Sequence, residues 1–148
     1  MKSFYYLFAA AFILSSCSQS PEDIGSPTWP DTVPEKLDFR AHVRPLMVIN
    51  CIECHNEKDA AKHAGLNLQT REAAMTTGIH APVLIPGDAD GSLLIQMLGR
   101  DPQHQMAMPP TPDGIWGVRL DILKKWINEG AKWPRGVVLE HPSDIESW

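Results

Sequence analysis

Phe39, Val43, Leu46 and Met47 fall at i, i+4, i+7 and i+8, one face of an α-helix, and Asp38 stands where an N-cap belongs. Pro45 interrupts this face; having no N–H to give, it predicts a kink or the true start of the helix. The pattern runs into Cys51-Ile52-Glu53-Cys54-His55, which is expected on the last turn. A second, short helix is predicted over 71–77, between the cap Thr70 and Gly78. A third begins near Asp90 or Ser92, carries Leu93, Leu94, Met97 and Leu98, and ends at Gly99. A fourth, over 118–129, aligns Leu120, Leu123, Trp126 and Ile127 and stops at Gly130. The chain shows no alternating strand pattern and no internal repeat, so it reads as all-α with long loops. The longest, DPQHQMAMPPTPDGIWG, needs an organiser beyond the chain's own side chains.

The start of the chain follows another logic. Lys2 precedes an uncharged apolar run from Phe4 to Leu14 that is too short to span a bilayer and fits an export signal. Leu14-Ser15-Ser16-Cys17 resembles the lipobox of bacterial lipoproteins, in which the cysteine is acylated and becomes the first mature residue. Residues 1–16 are therefore expected to be a lipoprotein signal peptide and Cys17 the lipidation site. Residues 17–37, with prolines at 21, 27, 30 and 34, read as an extended tether. Residues 38–134 form the expected domain, and 135–148 a C-terminal tail without a reading of its own. Ser18 after the cysteine resembles lipoproteins sent to the outer membrane, which places the protein in the bacterial cell envelope, facing the periplasm.

Composition narrows the chemistry. A chain of 148 residues with 43% hydrophobic content supports one core. Its formal charge of −5, made more negative when Lys2 leaves with the signal, argues against nucleic-acid binding. Both tyrosines and three of the four phenylalanines lie in the leader, so a domain this poor in aromatics would gain from a large buried cofactor. Of three cysteines, Cys17 is assigned to lipid, leaving Cys51 and Cys54 in an oxidising compartment.

Three chemistries use such a pair. Zinc would need further ligands from His55, His63, His80 or His104. A redox dithiol would sit at a helix N-terminus beside strands, which this pattern lacks. Covalent haem attachment uses both thiols as thioethers and the next histidine as an iron ligand, and all five positions of the pentapeptide fit it. An electron-transfer haem then needs a sixth ligand. Met108 is preferred to Met106, because Pro109 and Pro110 restrict its backbone; His80 and His104 are the rivals.

Phe39 with Val43-Arg44-Pro45-Leu46, the pentapeptide, Gly65-Leu66-Asn67-Leu68, Pro86-Gly87-Asp88 with Ser92-Leu93-Leu94, Met108-Pro109-Pro110, and residues 126–134 occur in an order that resembles the planctomycete-type cytochrome c domain, a branch of the class I-like c-type cytochromes. The resemblance implies a helical fold around one covalent haem c, with the first and last helices crossing so that Phe39 lies near Trp126. It implies thioethers at Cys51 and Cys54, His55 as proximal ligand and Met108 as distal ligand. Asn56 departs from the glycine common after the motif, and the turn before the last helix lacks the usual Leu-Ser entry. Trp116 and Arg44 are candidate donors to haem propionates. The function this implies is electron transfer, without enzymatic activity, between extracytoplasmic redox proteins, the membrane being reached through the lipid anchor. The alternatives are a small haem peroxidase, or a haem sensor or adaptor docked to a larger periplasmic oxidoreductase.

Overall fold

Asp38 Oδ1 accepts from Ala41 N at 2.8 Å, and this cap opens a wide π-type turn over Phe39–Val43 whose last bond joins Arg44 N to Phe39 O. The turn passes into α1, Arg44–Asn50, with Pro45 in its first turn. Because Pro45 donates nothing, the ladder is reset there, so the proline marks both an irregularity and the start of the α-helix. The computed structural model describes residues 29–112 and 114–141. Within them follow a single 3-10 turn at Ala60–Lys62, α2 (Arg71–Thr76), α3 (Leu93–Leu98) and α4 (Val118–Asn128), with no strand. The fold is all-α.

The predicted stops and starts have visible causes. Thr70 Oγ1 accepts from Ala73 N at 3.2 Å to cap α2. Ser92 precedes α3 but does not cap it: its buried hydroxyl donates to Asp88 O at 2.7 Å and accepts from Ile85 N at 2.8 Å, tying the preceding loop together. In α4 the fully buried positions are Ile122, Leu123, Trp126 and Ile127; Leu120, expected on this stripe, is half-buried at its edge.

The pentapeptide lies just beyond α1, not on its last turn. Cys51 is the C-cap, with φ −127° outside the helical region, and both Cys51 N and Ile52 N go to Met47 O, at 2.9 and 3.2 Å. The helix ends because one carbonyl serves two amides.

Phe39 packs against Trp126 with ring centroids 5.8 Å apart and against Trp133 at 4.7 Å, so the first helical segment and the last meet as the resemblance implies. Trp126 Nε1 donates to Lys132 O at 2.9 Å, which satisfies the polar end of the buried indole. Packing reaches beyond the expected 38–134 span on both sides. Trp29, Val33 and Leu37 lie against the core, and Lys125 Nζ donates to Pro34 O and Glu35 O at 2.9 and 2.6 Å. On the other side Val137 and Leu139 are buried, and Leu139 N donates to Gln69 O at 2.7 Å. Residues 29–37 and 135–141 are thus part of the folded unit. The expected signal peptide, Cys17 and the rest of the tether to residue 28 lie outside the described residues, as do 142–148 of the tail. No helix among the described residues is long and apolar enough to cross a membrane.

Leu139 tests this packing. Its side chain is fully buried, so Leu139→Ala should cost about 2–5 kcal/mol in equilibrium denaturation; a change near zero would show the tail detached from the core.

Candidate functional site

The turn after α1 is held from several directions. His55 N donates to Cys51 O at 2.8 Å and Cys54 N to the same oxygen at 3.2 Å, while Leu68 N reaches His55 O at 2.8 Å. Ile52 is fully buried and pins the turn to the core. Asn56 closes it: Nδ2 donates to Ile52 O at 2.9 Å and Glu53 O at 3.0 Å, and Oδ1 accepts from Asp59 N at 2.8 Å. The departure from glycine at this position therefore has a structural role, since the side chain occupies carbonyls that would otherwise rely on water.

Two further segments complete the walls. Gly78 N donates to Gly65 O at 3.1 Å and Ile79 N to Ala64 O at 2.9 Å, folding the segment around Leu66 against the end of α2. Gly78 has φ +98°, a left-handed conformation that favours glycine, although a Cβ there would meet Val83 and Leu66 only at ordinary contact distances of 3.4 and 3.5 Å. Leu94 N bonds Val83 O at 3.1 Å, and Met108 N bonds Met97 O at 3.2 Å, drawing the long loop back onto α3.

These elements enclose a cavity of about 300 Å³, at the small end of the range for ligand pockets. Cys51, Cys54 and His55 line it with Leu66, Leu94 and Met108. Its walls are otherwise mainly aliphatic, which favours an apolar guest.

Cys51 is buried and Cys54 half-buried, both as free thiols. Burial, and secondarily the neighbouring Cys54, push the Cys51 thiol up to about 12. A thiol held neutral in this way is a poor redox nucleophile, which disfavours the dithiol chemistry. Among the described residues no group of three or more His, Cys, Asp or Glu side chains is placed to hold a metal ion, so the set that zinc requires is not assembled.

Burial pushes the His55 imidazole below the usual histidine range; the Leu66 backbone opposes this and the charge of His63 adds to it. His55 Nδ1 is buried and closes no hydrogen bond of good geometry with the chain. Met108 is half-buried and packed on the core, whereas Met106 also lines the cavity but is 50% exposed. His80 is exposed on the cavity wall. His104 is not on the wall and is occupied by Met106 N, which donates to its Nδ1 at 3.0 Å. His63, a candidate above only for zinc, has its ring 5.9 Å from that of His55, edge-on, and lines the cavity. The left-handed pair Ala64 and Gly65, φ 57° and 68°, turns the chain there, and Gly65 was its only sequence signal.

A family model described as Planctomycete cytochrome C matches residues 51–112, the stretch that begins at Cys51 and takes in Met108. No curated protein and no solved structure matches the chain.

Asn56→Ala should lower stability by about 1–3 kcal/mol, the cost of leaving partly buried backbone groups without partners, when followed by thermal or denaturant melts. An unchanged midpoint would mean that water replaces the amide at no cost.

Proposed function

We propose, on the premise that residues 51–112 form a cytochrome c domain of the planctomycete type, that this protein is a membrane-tethered mono-haem electron carrier of the cell envelope. The observation that carries the reading is the placement of Cys51, Cys54, His55 and Met108 around one apolar cavity. The residues fit the group. Two free thiols and a histidine stand on one cavity wall, and the rest of that wall is mainly aliphatic. A single Cys-x-x-Cys-His motif supports a single haem.

Bound haem supplies a one-electron iron couple. Cys51 and Cys54 would hold it as thioethers, and the Cys51–His55 and His55–Leu68 backbone bonds fix the backbone of His55, which would ligate the iron. Met108 would supply the sixth ligand: its backbone is fixed by Met97 O and its side chain is packed, while Met106 stands half in solvent. A filled sixth position favours electron transfer over peroxidase chemistry. Leu66, Leu68 and Leu94 keep water from the iron. Cys17 carries the lipid anchor, and the partners are extracytoplasmic redox proteins at the periplasmic face of the outer membrane.

Acid-acetone extraction should leave haem on the polypeptide, with one haem per chain by pyridine haemochrome absorbance; free haem in the extract would overturn the site. Met108→Ala should lower the reduction potential, remove the sulfur-to-iron charge-transfer band and admit carbon monoxide, because thioether ligation favours ferrous iron. Met106→Ala should leave all three nearly unchanged, and exchanged phenotypes would move the ligand to Met106.

Cys17→Ala should shift the protein from the membrane to the soluble fraction or leave the precursor uncleaved. Wild-type protein found soluble with an unmodified mature N-terminus would refute the anchor.

A further inference from the structure

The ring plane of a metal-ligating histidine is set by what touches it beyond the metal. For His55 the polar restraint is slight: its Nδ1 is buried, and the Leu66 backbone beside it closes no hydrogen bond of good geometry. The bonds to Cys51 O and from Leu68 N hold the His55 backbone, not its ring. A ring held only at its Cβ is free to turn about the bond to it, since that torsion has broad minima. Among the described residues the ring that meets His55 is that of His63. Their centroids are 5.9 Å apart and their planes at 69°, the edge arrangement that aromatic rings favour over a face-to-face stack.

This contact is built at a cost in the backbone. His63 is the C-cap of the Ala60–Lys62 turn, and its amide donates to Ala60 O at 2.9 Å. The same oxygen accepts from Gly65 N at 2.8 Å, and His63 O accepts from Leu66 N at 3.2 Å. To close these bonds the chain passes through Ala64 at φ 57°, a left-handed conformation that is unfavourable for a residue with a Cβ. Ile79 N donates to Ala64 O at 2.9 Å and Gly78 N to Gly65 O at 3.1 Å, so the neighbouring cavity wall clamps the strained turn. Strain kept in place by its surroundings collects at functional sites. What it delivers here is one side chain. His63 lines the cavity, half-buried, and among the described residues its ring makes no hydrogen bond. An imidazole that neither donates nor accepts within the chain, yet is held against the ligand, acts through its ring.

We propose that His63 is a positioning residue for the proximal ligand and fixes the rotation of the His55 imidazole by edge-on contact, an inference that rests on the haem reading above. The rotation has a consequence for the iron, because the π orbitals of an axial imidazole overlap those of the metal in a direction set by the ring plane. Holding that plane holds the distribution of unpaired spin over the haem in the ferric state. Aromatic contact is the operative interaction, so a phenyl ring should replace the imidazole.

The test uses the full-length haem-loaded protein and compares wild type with His63→Phe, His63→Leu and His63→Ala. The order and spread of the haem methyl resonances in the proton NMR spectrum of the ferric protein report the ligand plane. His63→Phe should keep the wild-type pattern, while His63→Leu and His63→Ala should both change it, with the sulfur-to-iron charge-transfer band retained throughout. A merely structural role would order the melting temperatures by side-chain volume and leave the methyl pattern unmoved. His63→Leu conserves bulk and decides the matter where His63→Ala does not fold. Unchanged methyl resonances in His63→Leu, with haem still covalently bound, would overturn the proposal while leaving the haem reading intact. So would a change in His63→Phe as large as in His63→Leu, which would assign the effect to the ring nitrogens, or loss of the charge-transfer band, which would place it on the Met108 side. Wild-type protein without covalent haem would instead defeat the underlying reading of the site.

Discussion

Met47 O accepts from both Cys51 N and Ile52 N, and the geometry of the site depends on this shared carbonyl. A regular helix would give each amide its own acceptor and carry the pentapeptide onward along the axis. Sharing ends α1 at Asn50, sends Ile52 into the core and leaves the two cysteines and His55 on the cavity wall. The side chain of Asn56 and the Leu68 amide then fix the far end of the turn. The motif is therefore rigid at the backbone, while its reactive atoms are uncommitted to partners in the chain.

Rigid walls around an apolar space are a demanding arrangement for so small a protein. α2 and α3 are each six residues long, well below the length at which an isolated helix is stable in water. They persist through tertiary packing and through side-chain ties such as the buried Ser92 hydroxyl. A cofactor that binds only the folded chain adds to that stability, and a covalent one cannot be diluted away.

The segments flanking the expected domain extend this economy. The proline-rich stretch is anchored where Lys125 takes two of its carbonyls, and the tail adds Val137 and Leu139 to the core. Proline carbonyls lack a matching N–H on the same residue, so they cannot pair as a strand would, and a lysine ammonium with three donors is well suited to collect them.

The sequence alone determined the helical class, three of the four helix positions within a residue or two, and the contiguous Cys51-Ile52-Glu53-Cys54-His55 motif on which the proposed chemistry rests, because periodicity, caps and a contiguous motif are all encoded locally. The family match over residues 51–112 agrees with that chemistry. Tertiary structure decided what depends on distant parts of the chain. It placed the motif beyond α1, since the doubly used Met47 carbonyl is a matter of backbone geometry and not of residue type. It brought His63 to the edge of His55 through a left-handed turn at Ala64, a residue whose side chain gives no sign of that conformation. It set Ile122 deeper than Leu120 on α4, because the direction of the packed face depends on α3 and the Phe39–Val43 turn.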